Sequence, residues 1–255
     1  MAEVRLTKKD DGILVLSIDR PEALNALNRG IVDEIDGKLV EIEKDSGARC
    51  LILHSDKNFA AGADIKAMAE CDEEGARAFA FSPTYNRLAA LRIPTISAIE
   101  GYALGGGMEL ALATDIRIAG EGAKMGFPEV SLGIFPGAGG TIRAPRLIGA
   151  AFAKELIFSG EAVTAERALQ MGLVNRVVSD DRVFAEAYRL ATKIAKRGPV
   201  AVRRAKAVID RGIGMDVESG IELEAAEWAR LFNTLDQKEG MQAFIAKRKP
   251  EFENR

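Results

Sequence analysis

The sequence predicts an α/β body followed by an α-helical tail. Two patterns carry that expectation. Up to about residue 160, short runs rich in Ile, Leu and Val alternate with stretches whose apolar residues recur at helical spacing, the order of a strand–helix fold. From 199 to 252 the strand-like runs stop and helix follows helix, with long charged faces.

Residues 12–19 read as the first strand, closed by Pro21, which has no N–H to extend a ladder. A helix is expected over 28–44, with Ile31, Ile35, Leu39 and Ile42 on one face. Residues 50–54 form a second strand, so nearly continuous in apolar side chains that both its faces should be covered. A Gly/Ala-rich loop follows at 58–64, then one helix over 73–91 that ends before Pro94. Residues 95–99 are a third strand leading into Gly101, and the glycines at 105–107 open an apolar helix. A short strand is expected at 116–118, and the glycine turn at 136–140 opens another helix near Thr141. Beyond 161 the pattern is helical, interrupted by one strand at 173–178. Neither a low-complexity linker nor a sequence repeat is visible.

Composition narrows the function. A chain of 255 residues, 47% hydrophobic and 29% charged, can bury a core without staples. Its two cysteines, Cys50 and Cys71, have no CxxC spacing and only one histidine, His54, for company. Reduced thiols are expected, and no metal site. The N-terminal segment is charged, includes Glu3, Asp10 and Asp11, and lacks an apolar stretch, so no targeting peptide is expected. No run approaches the roughly 20 apolar residues of a membrane span. These features predict a soluble, cytoplasmic protein with no membrane partner. The net charge of −3 argues against a nucleic-acid partner.

Common catalytic signatures are missing. There is no GxGxxG, no P-loop and no GxSxG elbow. His54 sits in an apolar strand and reads as a core or strand-end residue, which leaves a Ser-His-Asp triad without its base. Three other segments carry chemistry. Residues 59–66, Phe-Ala-Ala-Gly-Ala-Asp-Ile-Lys, are small enough to leave their amides open to a ligand; alone, they read as a tight turn. In 101–109, three consecutive glycines precede Glu109. They do nothing for helix stability, but they let a carbonyl oxygen approach free N–H groups at the positive end of the helix dipole. Glu109 alone reads as a carboxylate favoured in a first helical turn. In 126–140, Glu129 follows Pro128 and a glycine turn follows in its wake; Glu129 alone reads as a solvated loop residue in extended or turn conformation.

Taken together, in order and spacing, the three segments resemble those of the crotonase family, also called the enoyl-CoA hydratase/isomerase family. Residues 20–27, Arg-Pro-Glu-Ala-Leu-Asn-Ala-Leu, and the 238–249 segment are similar to further family motifs, so the resemblance spans essentially the whole chain. It implies a crotonase-like spiral of ββα units over 1–195, which holds the active site, and a C-terminal α-helical trimerisation region over 196–255. It also implies a homotrimer or a homohexamer built as a dimer of trimers.

The resemblance further implies residue roles. The backbone N–H groups of Ala63 and Gly106 form an oxyanion hole for the thioester oxygen, and Glu109 and Glu129 are catalytic, with Glu109 favoured as base and Glu129 as acid. Coenzyme A lies along Ala23, Leu24, Ala61, Asp64, Ile65 and Lys66, with Lys247 reaching a phosphate from a neighbouring subunit; an exposed helix face is an equal reading for Lys247. Gly137 starts a helix beside the catalytic water. No cofactor is implied, because coenzyme A is part of the substrate. Trp228 and Phe244 belong either to the acyl end or, preferably, to buried core or subunit packing.

The implied activity is that of an enoyl-CoA hydratase. It adds water across the 2,3 double bond of a trans-2-enoyl-CoA to give a 3-hydroxyacyl-CoA, in fatty acid or related acyl-CoA degradation. The alternatives are an enoyl-CoA isomerase using Glu129 alone, a hydratase of a cyclic or aromatic-pathway dienoyl-CoA, or a non-catalytic acyl-CoA-binding subunit. Phe127, Ile142 and Ala144 depart from the usual family residues and should make the acyl pocket more apolar.

Overall fold

The computed structural model describes residues 3–255. Its strands in chain order are β1 (Val4–Lys8), β2 (Ile13–Ile18), β3 (Cys50–His54), β4 (Thr95–Ile99), β5 (Tyr102–Leu104), β6 (Ile116–Gly120), β7 (Lys124–Gly126), β8 (Val163–Thr164) and β9 (Arg176–Val178). Its α-helices are α1 (Arg29–Lys44), α2 (Ile65–Met68), α3 (Glu73–Ala78), α4 (Ser82–Ala89), α5 (Gly106–Leu112), α6 (Gly140–Ser159), α7 (Ala165–Met171), α8 (Val183–Ala195), α9 (Pro199–Gly212), α10 (Val217–Leu231) and α11 (Leu235–Ile245). No helix among the described residues is long and apolar enough to cross a membrane.

The main sheet has the order β1-β2-β3-β4-β6-β9 and is parallel except for the β1–β2 pair. Its central strands are mostly apolar because both faces are covered, with Thr95, Ser97 and Arg117 the buried polar exceptions. On one face Leu14, Leu16, Leu51 and Leu53 join Ile31, Ile35 and Leu39 of α1. On the other, Ile13, Val15, Cys50, Ile52, Ile96 and Ile118 meet Val183, Ala187 and Ala191 of α8. Successive residues of β3 therefore enter different cores, as the period of a strand requires. Helix α1 is capped by Asn28, whose side-chain oxygen accepts the Ile31 N–H at 2.9 Å.

A second layer runs β5-β7-β8 and is continued toward the N-terminus by single parallel bridges, Ala60 to Ala103 and Leu27 to Ala63. Each turn of the chain thus places one strand in the main sheet, a shorter one in the second layer, and then a helix. The units β4-β5-α5 and β6-β7-α6 show this most fully, which accounts for the ββα repeat that the amino-acid pattern hides.

Several sequence expectations need correction. The helix expected over 73–91 is two helices, α3 and α4. Pro83 lies in the first turn of α4, where its missing N–H is harmless; inside one continuous helix it would remove a bond and clash with the preceding turn. Strand β1 was not anticipated, because Arg5, Lys8 and Thr7 dominate its pattern; it pairs antiparallel with β2 from Val4–Ile18 to Lys8–Leu14. The strand expected at 173–178 is confined to Arg176–Val178, since the Leu173 N–H is taken by Ala168 at the end of α7. His54 is the last residue of β3, packs on Phe184 at 4.8 Å and lies 3.2 Å from Asp56. Burial holds its pKa below the ordinary imidazole value.

The tail is α9, α10 and α11. It is tied back to the body by Lys206, whose Nζ meets Asp115 at 2.8 Å, and by Asn254, whose amide reaches the Ser46 carbonyl at 2.9 Å.

Candidate active site

The carboxyl ends of β3, β4 and β6 open onto a cleft of about 630 Å³. Its wall comes from 61–63 after β3, from 65–81 across α2 and α3, from 105–109 at the start of α5, and from 128–138 between β7 and α6. The fold thus brings together the three segments singled out from the sequence.

Loop 59–64 is held by backbone pairing on both sides. Leu27 donates to the Gly62 carbonyl at 2.8 Å and Asp64 donates to the Leu27 carbonyl at 2.7 Å. In such a parallel bridge the central residue turns its own N–H the other way, so the Ala63 amide is left toward the cleft. Neither the Ala63 nor the Gly106 N–H has a hydrogen-bond partner among the described residues. The two segments lie side by side: a Cβ added to Gly106 would sit 3.7 Å from the Ala63 nitrogen. Tyr85, fully buried, fixes the start of α5 by donating its hydroxyl proton to the Gly106 carbonyl at 2.9 Å.

The three glycines have separate reasons. Gly105 has φ 49° and ψ −124°, a region closed to L side chains, and a Cβ there would come within 2.9 Å of Glu129 Oε1. Gly106 brings its amide beside Ala63. Gly107 packs so closely on loop 59–64 that any Cβ would overlap the Ala60 carbonyl oxygen.

Glu109 lies in the first turn of α5 and is only 3% exposed. Its Oε1 accepts the N–H groups of Ala138 and Gly140, both at 2.7 Å. Those donors stand at the start of α6, where the dipole favours an anion. Burial raises the Glu109 pKa, and the two N–H bonds and the nearby Arg143 guanidinium pull against it. Arg143 is held by the Ala138 carbonyl at 3.2 Å and Asn86 Oδ1 at 2.6 Å.

Glu129 occupies a 3₁₀ turn, Pro128–Leu132, and lines the same cleft. Its Oε2 is buried without a hydrogen-bond partner among the described residues. Burial pushes its carboxyl up to about 7; its own backbone N–H opposes this, and the Glu109 charge adds to it. The cleft therefore pairs a carboxyl that accepts two N–H groups with a second, unpartnered one that burial raises to about 7.

The expected coenzyme A strip is assembled in part. Leu24 accepts the Ala61 N–H at 3.1 Å, and Arg20 binds Asp64 at 3.1 Å, so Ala23, Leu24, Ala61 and Asp64 lie on two joined segments beside the cleft, with Ile65 and Lys66 opening α2 next to them. Ala61 and Ile65 line it. Lys66 is exposed on α2; Lys247 is exposed beyond α11 with φ 53°, and neither is in the cleft wall.

Gly137 lines the cleft but does not start a helix: α6 begins at Gly140, because two residues of turn are needed to aim both the Ala138 and Gly140 amides at Glu109. Phe127, Ile142 and Ala144 are absent from the cleft wall. Phe127 is buried beneath Gly140, and Ile142 faces outward, 57% exposed. Trp228 and Phe244 are neither in the cleft nor buried within this chain, being 61% and 85% exposed. The apolar wall comes instead from Ile65, Met68, Phe79, Phe81, Leu132 and Phe135. Sequence reasoning missed most of these because an apolar residue in a loop or short helix carries no sign of which cavity it faces. It also missed Ala138 and Gly140, which act through backbone groups.

Known proteins resemble the chain over nearly its whole length. Residues 8–255 match the family model for Enoyl-CoA hydratase/isomerase. The chain is 44% identical over 255 residues to a short-chain-enoyl-CoA hydratase of Clostridium acetobutylicum, with 98% of each chain covered. It is 41% identical to a crotonyl-CoA hydratase of Syntrophomonas wolfei, covering 97% of this chain and 96% of that one. Among solved structures, an enoyl-CoA hydratase from Bacillus anthracis superposes with a TM-score of 0.95 at 38% identity, over 99% of this chain and 100% of that chain. With a family match over nearly its whole length and full-length relatives above 40% identity, the chain belongs to the enoyl-CoA hydratase/isomerase family and has its crotonase fold.

Proposed function

We propose that the protein is an enoyl-CoA hydratase acting on a short trans-2-enoyl-CoA and giving the 3-hydroxyacyl-CoA. The observation that carries this reading is the pair of unlike carboxyls in one cleft: Glu109 bonded to two N–H groups, and Glu129 raised to about 7 with an unpartnered oxygen. Relatives named short-chain-enoyl-CoA and crotonyl-CoA hydratases support the substrate class.

In the proposed reaction a water molecule lies between the two carboxyls. Its oxygen bonds to Cβ as Glu109 takes one of its protons, and the electron pair of the double bond moves toward the thioester carbonyl. The Ala63 and Gly106 N–H groups hold the oxygen that gains charge; one such donor contributes about 3 kcal/mol to the barrier. Glu129 delivers its proton to Cα, which restores the neutral thioester. The pair begins and ends with one proton in total, so no external acid or base is consumed.

Coenzyme A lies along Ala23, Leu24, Ala61, Asp64, Ile65 and Lys66. The protein works in the cytoplasm as a trimer or a dimer of trimers, with residues 196–255 forming the subunit contacts and Lys247 offering charge to a neighbour's ligand. Ile209, Ile213, Val217, Trp228, Phe244 and Ile245, all exposed on or between the tail helices, support self-association. Hydration of crotonyl-CoA, compared with Glu109→Gln, tests the reading. An isomerase using Glu129 alone keeps its activity in that variant; the hydratase loses it.

A further inference from the structure

At the opposite end of the parallel strands from the cleft, arginines gather without partners. Arg49 immediately precedes β3, Arg92 precedes β4, Arg197 precedes α9 and Arg203 lies on it. Two neighbouring cavities share Ala48, Ile93 and Arg203 in their walls. The larger, about 420 Å³, adds Arg92, and the smaller adds Arg49 and Arg197. None of these four guanidiniums has a hydrogen bond or an ion pair among the described residues, and Nη1 of Arg49 is buried as well as unpartnered. Many of the chain's other arginines pair with carboxylates, as at Arg20–Asp64, Arg87–Asp36, Arg176–Glu186 and Arg248–Glu239.

Two of the nearby acids are committed to other groups. Glu43 and Asp45, in the wall of the larger cavity, are bound by Arg87 at 3.2 Å and Lys8 at 2.6 Å. Asp236 accepts the N–H groups of Glu253 and Asn254 on Oδ1 at 2.7 and 3.0 Å, and its Oδ2 is buried without a hydrogen-bond partner among the described residues. Arg203 is half-buried; burial and the charges of Arg49, Arg92 and Arg204 all lower its pKa, with Asp236 opposing. An arginine does not shed its charge at physiological pH, so this like-charge group is costly unless an anion joins it. Guanidinium forks match the oxygens of phosphoryl groups in bidentate fashion. The larger cavity has room for more than one phosphoryl group.

We propose that the cavity lined by Arg92 and Arg203, with Arg49 behind it, binds a small pyrophosphate-type anion, either free or carried by a phosphorylated metabolite. The site shares no lining residue with the catalytic cleft and lies at the other ends of β3 and β4. Its ligand therefore binds alongside the acyl-CoA rather than in competition with it.

Thermal unfolding of the full chain with pyrophosphate, at ionic strength matched by sodium chloride, tests the site. At about ten times the dissociation constant, the wild-type midpoint should rise by about 3 °C or more. Arg203→Gln should lose that rise and, without pyrophosphate, unfold no earlier than wild type, because a repelling charge is gone. Hydration of crotonyl-CoA by this variant should stay within about twofold of wild type. Arg92→Gln, at an exposed side chain, gives the same reading if Arg203→Gln does not fold. Adenosine 5′-diphosphate in place of pyrophosphate separates the two sources: a larger shift that is also lost in the variants indicates a carried pyrophosphate, and a smaller one a free anion. No shift in wild type, or an equal shift in wild type and Arg92→Gln, overturns the site.

Discussion

Burial with one oxygen unpartnered raises the carboxyl of Glu129, the proposed proton donor, to about 7, and this has two measurable consequences. The first is catalytic. Glu129→Gln keeps the shape and removes the proton, so kcat should fall by about 10²–10⁴-fold, the usual worth of a positioned acid. The second concerns stability. A carboxyl whose folded pKa is raised from 4.5 to about 7 favours the folded state at low pH, and that contribution is lost as pH rises through about 7. The stability of Glu129→Gln relative to wild type should therefore grow between about pH 4.5 and 7 and then level off, as read by denaturant midpoints across pH. Activity follows the same proton. In both directions kcat/KM should decline above about pH 7, along one shared limb, because water addition leaves the proton count of the Glu109–Glu129 pair unchanged.

Helix α5 shows how an element sets the site. Gly107 rests on the Ala60 carbonyl, and that contact keeps Gly106 beside Ala63. Gly107→Ala should destabilise the protein by about 1–3 kcal/mol, the usual cost of overpacking, and lower kcat with little change in KM, since it spreads the two amides without touching the coenzyme A strip. Much of this element was legible in the amino-acid order. A glycine run before an apolar helix with Glu109 in its first turn has few uses other than close backbone approach, and α1 announced itself through Asn28 and the Ile31–Ile35–Leu39–Ile42 face. Other elements left no such trace. The strands β5, β7 and β8 are two or three residues long and are fixed by tertiary pairing, so the ββα repeat emerges only in space. The break between α3 and α4 is marked by Pro83 at the start of α4, and the Phe79 and Phe81 rings just before it line the cleft. Gly137 was misplaced for a related reason: donors aimed by a turn are backbone groups, and no side chain marks which residue supplies them.

At the scale of the whole molecule, the tail helices carry exposed apolar residues that a lone chain of this size has no reason to keep, Phe244 and Ile245 among them at 85% and 80% exposure. Light scattering should report a mass of three or six chains, and a monomer would remove the proposed role of Lys247 across an interface. The central claim, that two unlike glutamates in one cleft add water to an enoyl thioester, is tested most directly by following the loss of conjugated-thioester absorbance when the protein meets crotonyl-CoA, beside Glu109→Gln and Glu129→Gln. The account predicts rapid loss with a 3-hydroxyacyl product, and a deep fall in both variants. Full activity in either variant, or no turnover by a wild-type protein that binds the thioester, would contradict it.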